Sequence, residues 1–250
     1  MTEIRSIVGS RYYGFVAQLN RRMTKGLQLS VNYTRARAHD DGQVSATFTD
    51  TNDPFNAFNP LGEKGISNFD LPNKFIVNAV YQPHFNVTGA ASAILNGWQL
   101  APIVSAYSGV PFTPSISGSF PTTCTVAAGC TPVAGANIST AAGGQNGSGG
   151  SGRFALVPRN SFRLPKIVNF DMRVSRRIHF NEATALELLV EGFNLFNRTQ
   201  VTGVNTGLYS TGGTYQTPTL TALSNFGTTN AAGGTLFRER QVQLAVRFQF

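Results

Sequence analysis

Residues 240–250 read RQVQLAVRFQF, and this stretch decides the fold. Apolar side chains occupy every second position, at Val242, Leu244, Val246, Phe248 and Phe250. The positions between them hold Gln, Ala and Arg. Because side chains alternate between the two faces of a strand, period two predicts a β-strand, here over residues 238–250, with one apolar and one polar face.

The same alternation recurs in six earlier segments. Residues 12–23 and 27–37 carry it on either side of Thr24-Lys25-Gly26, which predicts a hairpin with a tight turn. The other segments are 74–83, 97–108, 166–178 and 184–196. In the last of these the apolar residues also fall at helical spacing, so a helix stays open as an alternative there. The sequence therefore predicts an all-β chain of about seven strands.

Composition supports an all-β class and argues against several functions. Only 13% of the residues are charged, and the formal net charge is +8 with a pI of about 9.9. The basic residues are scattered and form no stripe with exposed aromatic residues, so nucleic-acid binding is not predicted. Met1 is followed by no apolar leader, and the chain contains no run of 18 apolar residues, so neither a signal peptide nor a membrane-spanning helix is predicted.

The lengths of the strands and connections favour a transmembrane β-barrel over a secreted β-sandwich. The predicted strands have roughly 10 to 12 residues, which suits a tilted membrane strand, whereas soluble strands have about 5 or 6. The connections alternate, being short at 24–26 and 179–184, moderate at 84–96, and long at 38–73, 109–165 and 197–237. Outer-membrane barrels combine short periplasmic turns with longer extracellular loops, so the long connections are predicted to be extracellular.

Seven strands leave a barrel open. An unpaired strand edge in hydrocarbon leaves backbone N–H and C=O groups without partners, at a cost of several kcal/mol each. The remaining strands then come either from the amino-terminal part of a longer protein or from other copies of the chain, and the first explanation is favoured.

Several strings along the chain are distinctive when taken in order. The first is the hairpin string Tyr12–Met23, followed by Lys25-Gly26-Leu27 and Val31-Asn32-Tyr33-Thr34. Later strings are Asp70-Leu71-Pro72-Asn73-Lys74-Phe75, Gly97-Trp98-Gln99-Leu100, Ser108-Gly109-Val110-Pro111-Phe112, Glu191-Gly192-Phe193-Asn194-Leu195-Phe196-Asn197 and the terminal Val246-Arg247-Phe248-Gln249-Phe250. In their sequence and their order these strings resemble the TonB-dependent receptors of the Oar-like type that are common in acidobacteria.

The resemblance implies a barrel of about 22 strands with a plugged lumen, of which this chain supplies the last seven. The signal peptide, the carboxypeptidase-regulatory-like domain, the TonB box and the plug of that family have no counterpart in residues 1–250. The implied function is uptake of an unidentified substrate across the outer membrane, with the strands as channel wall and the long loops capturing ligand. A passive porin-like channel and a non-enzymatic β-sandwich binding module or adhesin are the alternatives.

The implied partners are outer-membrane lipid, the barrel-assembly machinery and a TonB-type energy-transducing protein that acts through the missing plug. A carboxy-terminal aromatic residue preceded by alternating apolar residues resembles the signal that the assembly machinery reads, which assigns that role to Val242, Leu244, Val246, Phe248 and Phe250.

The sequence yields no catalytic or metal-binding constellation, so no enzyme activity and no cofactor are predicted. Cys124 and Cys130 lie close together in the longest connection and are candidates for a disulfide outside the cytoplasm. Asp171, Arg173, Glu187 and Glu191 occupy polar positions of neighbouring strands and are predicted to face the lumen, as a paired polar network or as substrate contacts.

Overall fold

A computed structural model describes residues 9–42, 64–117, 145–147, 150–153, 157–181, 184–213, 218–234 and 238–250. Seven long strands dominate it, and the alternating segments predict all seven. Their bounds are β1 Ser10–Thr24, β2 Leu27–Asp40, β3 Asn73–Tyr81, β4 Trp98–Tyr107, β5 Ile167–His179, β6 Ala185–Phe193 and β7 Gln241–Gln249.

The long strands form one antiparallel sheet in which each strand pairs with its neighbours in sequence, from β1 through to β7. Among the described strands, β1 and β7 each have only one long neighbour. The arrangement is an up-and-down meander whose two edges stay open within the described residues.

The register sorts the side chains of all seven strands onto two faces, because residues directly opposite each other in neighbouring strands point the same way. We call the first the apolar face; Leu19 pairs there with Val31, Val31 with Val77, and Val190 with Leu244. We call the other the polar face; it carries Gln18 opposite Asn32 and Glu191 opposite Gln243. The buried side chains of the long strands lie on the polar face, whereas Leu244 on the apolar face is 75% exposed. They are Ala36, Ala38, Asp40, Asn169, Ser175, Ala185 and Leu189.

The connections are divided between the two ends of the sheet. Residues 25–26, 82–97 and 180–184 join strands at one end, the short-connection rim, and residues 41–72, 108–166 and 194–240 join them at the other, the long-connection rim. The short-connection rim contains the one helix of the described residues, α1 at Ala90–Leu95, which the sequence did not predict. Six residues are too few to show a helical period.

The long connections contain short strands of their own. They are Gly65–Ile66, Pro111–Phe112, Ser115–Ser117, Gln145–Gly147, Gly150–Arg153, Phe162–Arg163, Val201–Val204, Gly207–Gly213, Pro218–Ala222 and Thr229–Ala232. Gly65–Ile66 pairs with the end of β2, and Gly207–Gly213 pairs with Ser115–Ser117 from the preceding connection. The connections therefore fold against the sheet and against each other.

Several predicted bounds differ from the observed ones. β2 continues to Asp40, into the predicted 38–73 loop, because the start of β1 pairs with it on one side and Gly65–Ile66 folds back to pair with it on the other. The segment predicted over 184–196 is a strand and not a helix, and it ends at Phe193 because Asn194 and Asn197 have the left-handed φ of 48°. β7 begins at Gln241 and not at residue 238.

The turn between β1 and β2 depends on Gly26. Lys25 and Gly26 have φ of 52° and 75°, the pair of left-handed residues that a two-residue hairpin of type I′ needs. The end of β3 also approaches closely, since the Gln82 amide donates to the Gly26 carbonyl at 2.7 Å. A Cβ on Gly26 would lie 2.2 Å from the Gln82 carbonyl oxygen. Gly26 therefore serves both the turn and the packing of β3 beside it.

We expect Gly26→Ala to lower the free energy of unfolding more than Gly227→Ala does. Gly227 has the same φ of 75° but nothing within 4 Å of its Cβ position, so its substitution introduces only the left-handed strain of roughly 1 to 2 kcal/mol. Gly26→Ala adds the clash with the Gln82 carbonyl. Urea unfolding of the two refolded variants measures the difference, and equal losses would show that the contact with Gln82 does not matter.

Candidate functional site

The polar face of β5, β6 and β7 concentrates charge. Three arginines, Arg173, Arg177 and Arg247, share it with the carboxylates of Asp171, Glu187 and Glu191. The polar face of β1 and β2 instead carries amide and hydroxyl groups, such as the chain in which Asn32 Nδ2 donates to Ser30 Oγ and Ser30 Oγ donates to Asn20 Oδ1. We call the polar face of β5, β6 and β7 the charged half; its three positive and three negative side chains give it no net charge.

Two ion pairs cross the strands of the charged half. Arg173 contacts Glu191 at 2.6 Å, and Arg247 contacts Glu187 at 3.5 Å. The arginine side chains are 50% and 63% exposed, so solvent screens both pairs and each contributes only about 0 to 1 kcal/mol. Arg177 also donates to the side-chain oxygen of Gln249. These groups are held by neighbours and remain accessible on the polar face.

Asp171 has a different role from the other three predicted polar residues. Its carboxylate accepts hydrogen bonds from Asn169 Nδ2 and, at 2.8 Å, from the backbone amide of Asn194. Asn194 is 4% exposed, and its side-chain amide donates to the carbonyls of Arg198 and Arg238 and accepts from the Arg198 amide. Asp171 and Asn194 therefore fix the two ends of the connection between β6 and β7.

A buried network anchors the connection between β2 and β3 at the long-connection rim. The Asp70 side chain is completely buried, accepts from the Ala38 amide at 2.6 Å and forms ion pairs with Arg163 and, at 3.4 Å, with Arg37. Arg163 also donates to the Asp70 carbonyl at 3.0 Å. β3 pairs with β2 only as far as Arg35, so at Ala38 the Asp70 carboxylate accepts the backbone hydrogen bond that a strand partner would otherwise accept.

A second buried ion pair joins the connection between β4 and β5, to which Arg163 also belongs, to the end of β2. Arg159 donates to the carboxylate and, at 3.0 Å, to the carbonyl of Asp40, and both residues are almost fully buried. The neighbouring Asn160 donates to the Ile66 carbonyl at 2.7 Å and to Thr113 Oγ1 at 2.9 Å. We call Asp40, Asp70, Arg159, Asn160 and Arg163 the rim network.

Gln200 anchors the third long connection in a similar way. β5 extends beyond the end of β6, which leaves the backbone of Val168 without a strand partner on that side. The Gln200 side chain, 1% exposed, accepts from the Val168 amide at 3.1 Å and donates to the Val168 carbonyl. One primary amide thus satisfies both backbone groups.

Three phenylalanines join the second and third long connections. Phe162 stacks on Phe112 at 5.8 Å between ring centroids and meets Phe226 edge-on at 5.1 Å. Such aromatic pairs contribute about 0.5 to 1.5 kcal/mol beyond the area that they bury. All three long connections therefore have a fixed base on the sheet.

The predicted site residues lie as follows. Arg173 with Glu191, and Glu187 with Arg247, are brought together on the polar face, whereas Asp171 binds to Asn169 and Asn194. Cys124 and Cys130 lie outside the described residues, so their pairing stays a prediction. Val242, Leu244, Val246 and Phe248 are exposed on the apolar face, and the ring of Phe250 lies 6.0 Å from that of Phe248.

Sequence reasoning missed the rim network. Its bonded members are separated by up to 119 residues, and no local period marks them. One signal was present: two of the strings that carry the family resemblance, those starting at Asp70 and at Glu191, contain Asp70 and Asn194, which hold the bases of two long connections.

Neither a metal centre nor a spanning helix appears in the described ranges. Within them, no three His, Cys, Asp or Glu side chains converge closely enough to hold a metal ion. The one helix there, α1, is too short to cross a bilayer.

We expect Asp70→Asn to destabilise the protein far more than Glu187→Gln. Asp70→Asn leaves Arg163, whose side chain is only 27% exposed, without its countercharge, and removing one partner of a buried ion pair typically costs about 3 to 5 kcal/mol. The pair of Glu187 is exposed, so its loss costs less than about 1 kcal/mol. Urea unfolding gives the free energies, and hydrogen exchange at the Ala38 amide reports whether the rim opens.

Glu187→Gln is the matched control, since both changes replace a carboxylate by its amide. If the two variants lost the same stability, or if exchange at Ala38 stayed unchanged in Asp70→Asn, the buried pairs would not anchor the connection.

Comparison with known proteins identifies the fold. No curated protein matches the chain. A family model described as an outer membrane beta barrel domain matches residues 1–243, which is nearly the whole chain. Together with the antiparallel meander and its two faces, this match confirms the predicted fold class and decides against the β-sandwich. The chain belongs to the outer membrane beta barrel domain family.

Proposed function

We propose that the chain forms part of the channel wall and the ligand-capturing outer loops of a TonB-dependent receptor. Two observations together support this proposal. Buried ion pairs fix the long connections at one end of the sheet, and the charged side chains on its polar face already form ion pairs with each other. Such a wall is suited to a barrel in which an internal plug domain controls the passage of substrate and the outer loops select the ligand.

Membership of the family places the chain in the outer membrane. We propose that its apolar face contacts lipid and that its polar face lines the lumen, as in known barrels. In hydrocarbon the open edges of β1 and β7 need partners, so we propose that further strands of the same protein close the barrel. The resemblance to Oar-like receptors supports about 22 strands in all.

The orientation follows from the connections. We propose that the short-connection rim faces the periplasm and that residues 41–72, 108–166 and 194–240 lie outside the cell, as loop lengths do in known barrels. The rim network then lies at the base of the outer loops. There it holds them in fixed positions over the mouth, which reduces the entropy lost when a ligand is captured.

Lipid, the assembly machinery and an energy-transducing protein are the proposed partners. The exposed apolar residues of β7, from Val242 to Phe250, support recognition of this strand during assembly. The contact with a TonB-type protein is proposed for a plug that residues 1–250 do not contain.

Ion conduction separates the receptor from a porin-like channel. We expect the full-length protein, reconstituted in planar bilayers, to carry no steady ion current, because a plug fills the lumen. It should also bind the periplasmic domain of a TonB-type protein, and the reading frame upstream of Met1 should encode a plug and a TonB box.

A steady open-channel current together with no binding to the TonB-type domain would contradict the proposal and favour a passive channel. A variant whose plug is deleted is the control, since it should conduct while retaining the same barrel.

A further inference from the structure

We propose that helix α1 is a membrane-interface anchor that lies against the lipid leaflet at the short-connection rim. The anchor patch consists of Ile94 and Leu95 at the end of α1 together with Trp98 and Arg176 of the sheet. Its partner is the boundary between headgroups and acyl chains of the phospholipid leaflet at that rim.

The register places the base of this patch on the apolar face. Trp98 and Arg176 are directly opposite each other and form the last pair of the ladder between β4 and β5 at the short-connection rim. Both belong to the face that carries Leu100, Val174 and Leu188. The Arg176 guanidinium lies 5.1 Å from the centre of the Trp98 ring, in a cation–π contact.

Both side chains bind the end of α1. Trp98 Nε1 donates to the Ile94 carbonyl at 2.9 Å, and Arg176 donates to the Ala93 carbonyl. The last carbonyls of a helix have no partner within the helix. Because the two donors come from the apolar face, they hold the end of α1 at the lipid side of the rim and not over the lumen.

The composition of α1 fits a lipid boundary better than water. Its sequence, AASAIL, contains no charged residue, and none of its residues is buried. Ile94 is 62% exposed. The polar groups beside the helix are paired, since Asn96 bonds to both backbone groups of Phe85 and to Ser92 Oγ.

The anchor patch continues the lipid-facing surface of the sheet, and this continuity identifies lipid as the partner that covers it. The apolar face is covered by lipid in this family of barrels, and Trp98 is an aromatic residue at the end of a strand, where an indole ring lies at the membrane–water interface. The exposed Ile94 and Leu95 extend this apolar surface beyond the last strand pair. The bonds to Trp98 and Arg176 hold the apolar end of α1 at this depth, so Ile94 and Leu95 contact the boundary between headgroups and acyl chains.

Spin labelling in phospholipid vesicles tests the anchor. A nitroxide is attached to Ile94→Cys in the full-length protein, with the native cysteines, Cys124 and Cys130 among them, replaced by serine. The measured quantity is the ratio of the label's collision rate with oxygen, which is enriched in lipid, to its collision rate with a water-soluble nickel chelate. We expect this ratio to be several-fold higher at Ile94→Cys than at Ser224→Cys. Leu244→Cys on the apolar face is the lipid control, and Ser224 is an exposed loop residue.

A ratio at Ile94→Cys equal to that at Ser224→Cys would overturn the proposal, because α1 would then be in water. A label protected from both reagents would also overturn it, since a protein contact and not lipid would cover the patch.

Arg176→Gln tests the positioning. Without the guanidinium, the ratio at Ile94→Cys should fall toward the value in water while that at Leu244→Cys stays unchanged. An unchanged ratio at position 94 would show that Arg176 does not hold α1 at the membrane.

Discussion

The lack of water in the hydrocarbon core is the constraint on which the structure depends. Each backbone N–H and C=O that lies there must find a partner within the protein, since an unsatisfied group costs several kcal/mol. A meander of long antiparallel strands meets this demand for all but its two edges. The alternation of apolar and polar residues follows from the same constraint, because one face of every strand contacts lipid and the other lines the lumen.

At the long-connection rim the strands have unequal lengths, and side chains replace the missing strand partners. Asp70 accepts the amide of Ala38, and Gln200 binds both backbone groups of Val168. Loop segments must approach the sheet closely to present these side chains. Gly109 permits such an approach, since a Cβ there would overlap the Leu164 carbonyl. The hydrogen-bond demand of the strands thereby determines how the loops are anchored.

The strands were predictable from sequence because their signal is local. Period two in residues 240–250 and the two-residue turn at Gly26 each need only a short window. The strand character of residues 185–193 was ambiguous by spacing alone, and pairing with β5 and β7 decided it. The contact between Asp40 and Arg159 joins the end of β2 to the connection between β4 and β5, so no periodic pattern predicts it. Helix α1 was missed because contacts with Trp98 and Arg176, not an amphipathic period, fix its end.

Accessibility along one strand tests the central claim, that the sheet is a membrane wall with one lipid face and one aqueous face. Single cysteines at residues 168–175 of β5, each carrying a fluorophore, are quenched in vesicles by brominated lipid or by aqueous iodide. The account predicts lipid quenching at Val168, Phe170, Met172 and Val174 and weak lipid quenching at the positions between them. Equal quenching by iodide at all eight positions, or lipid quenching at the odd ones, would contradict it.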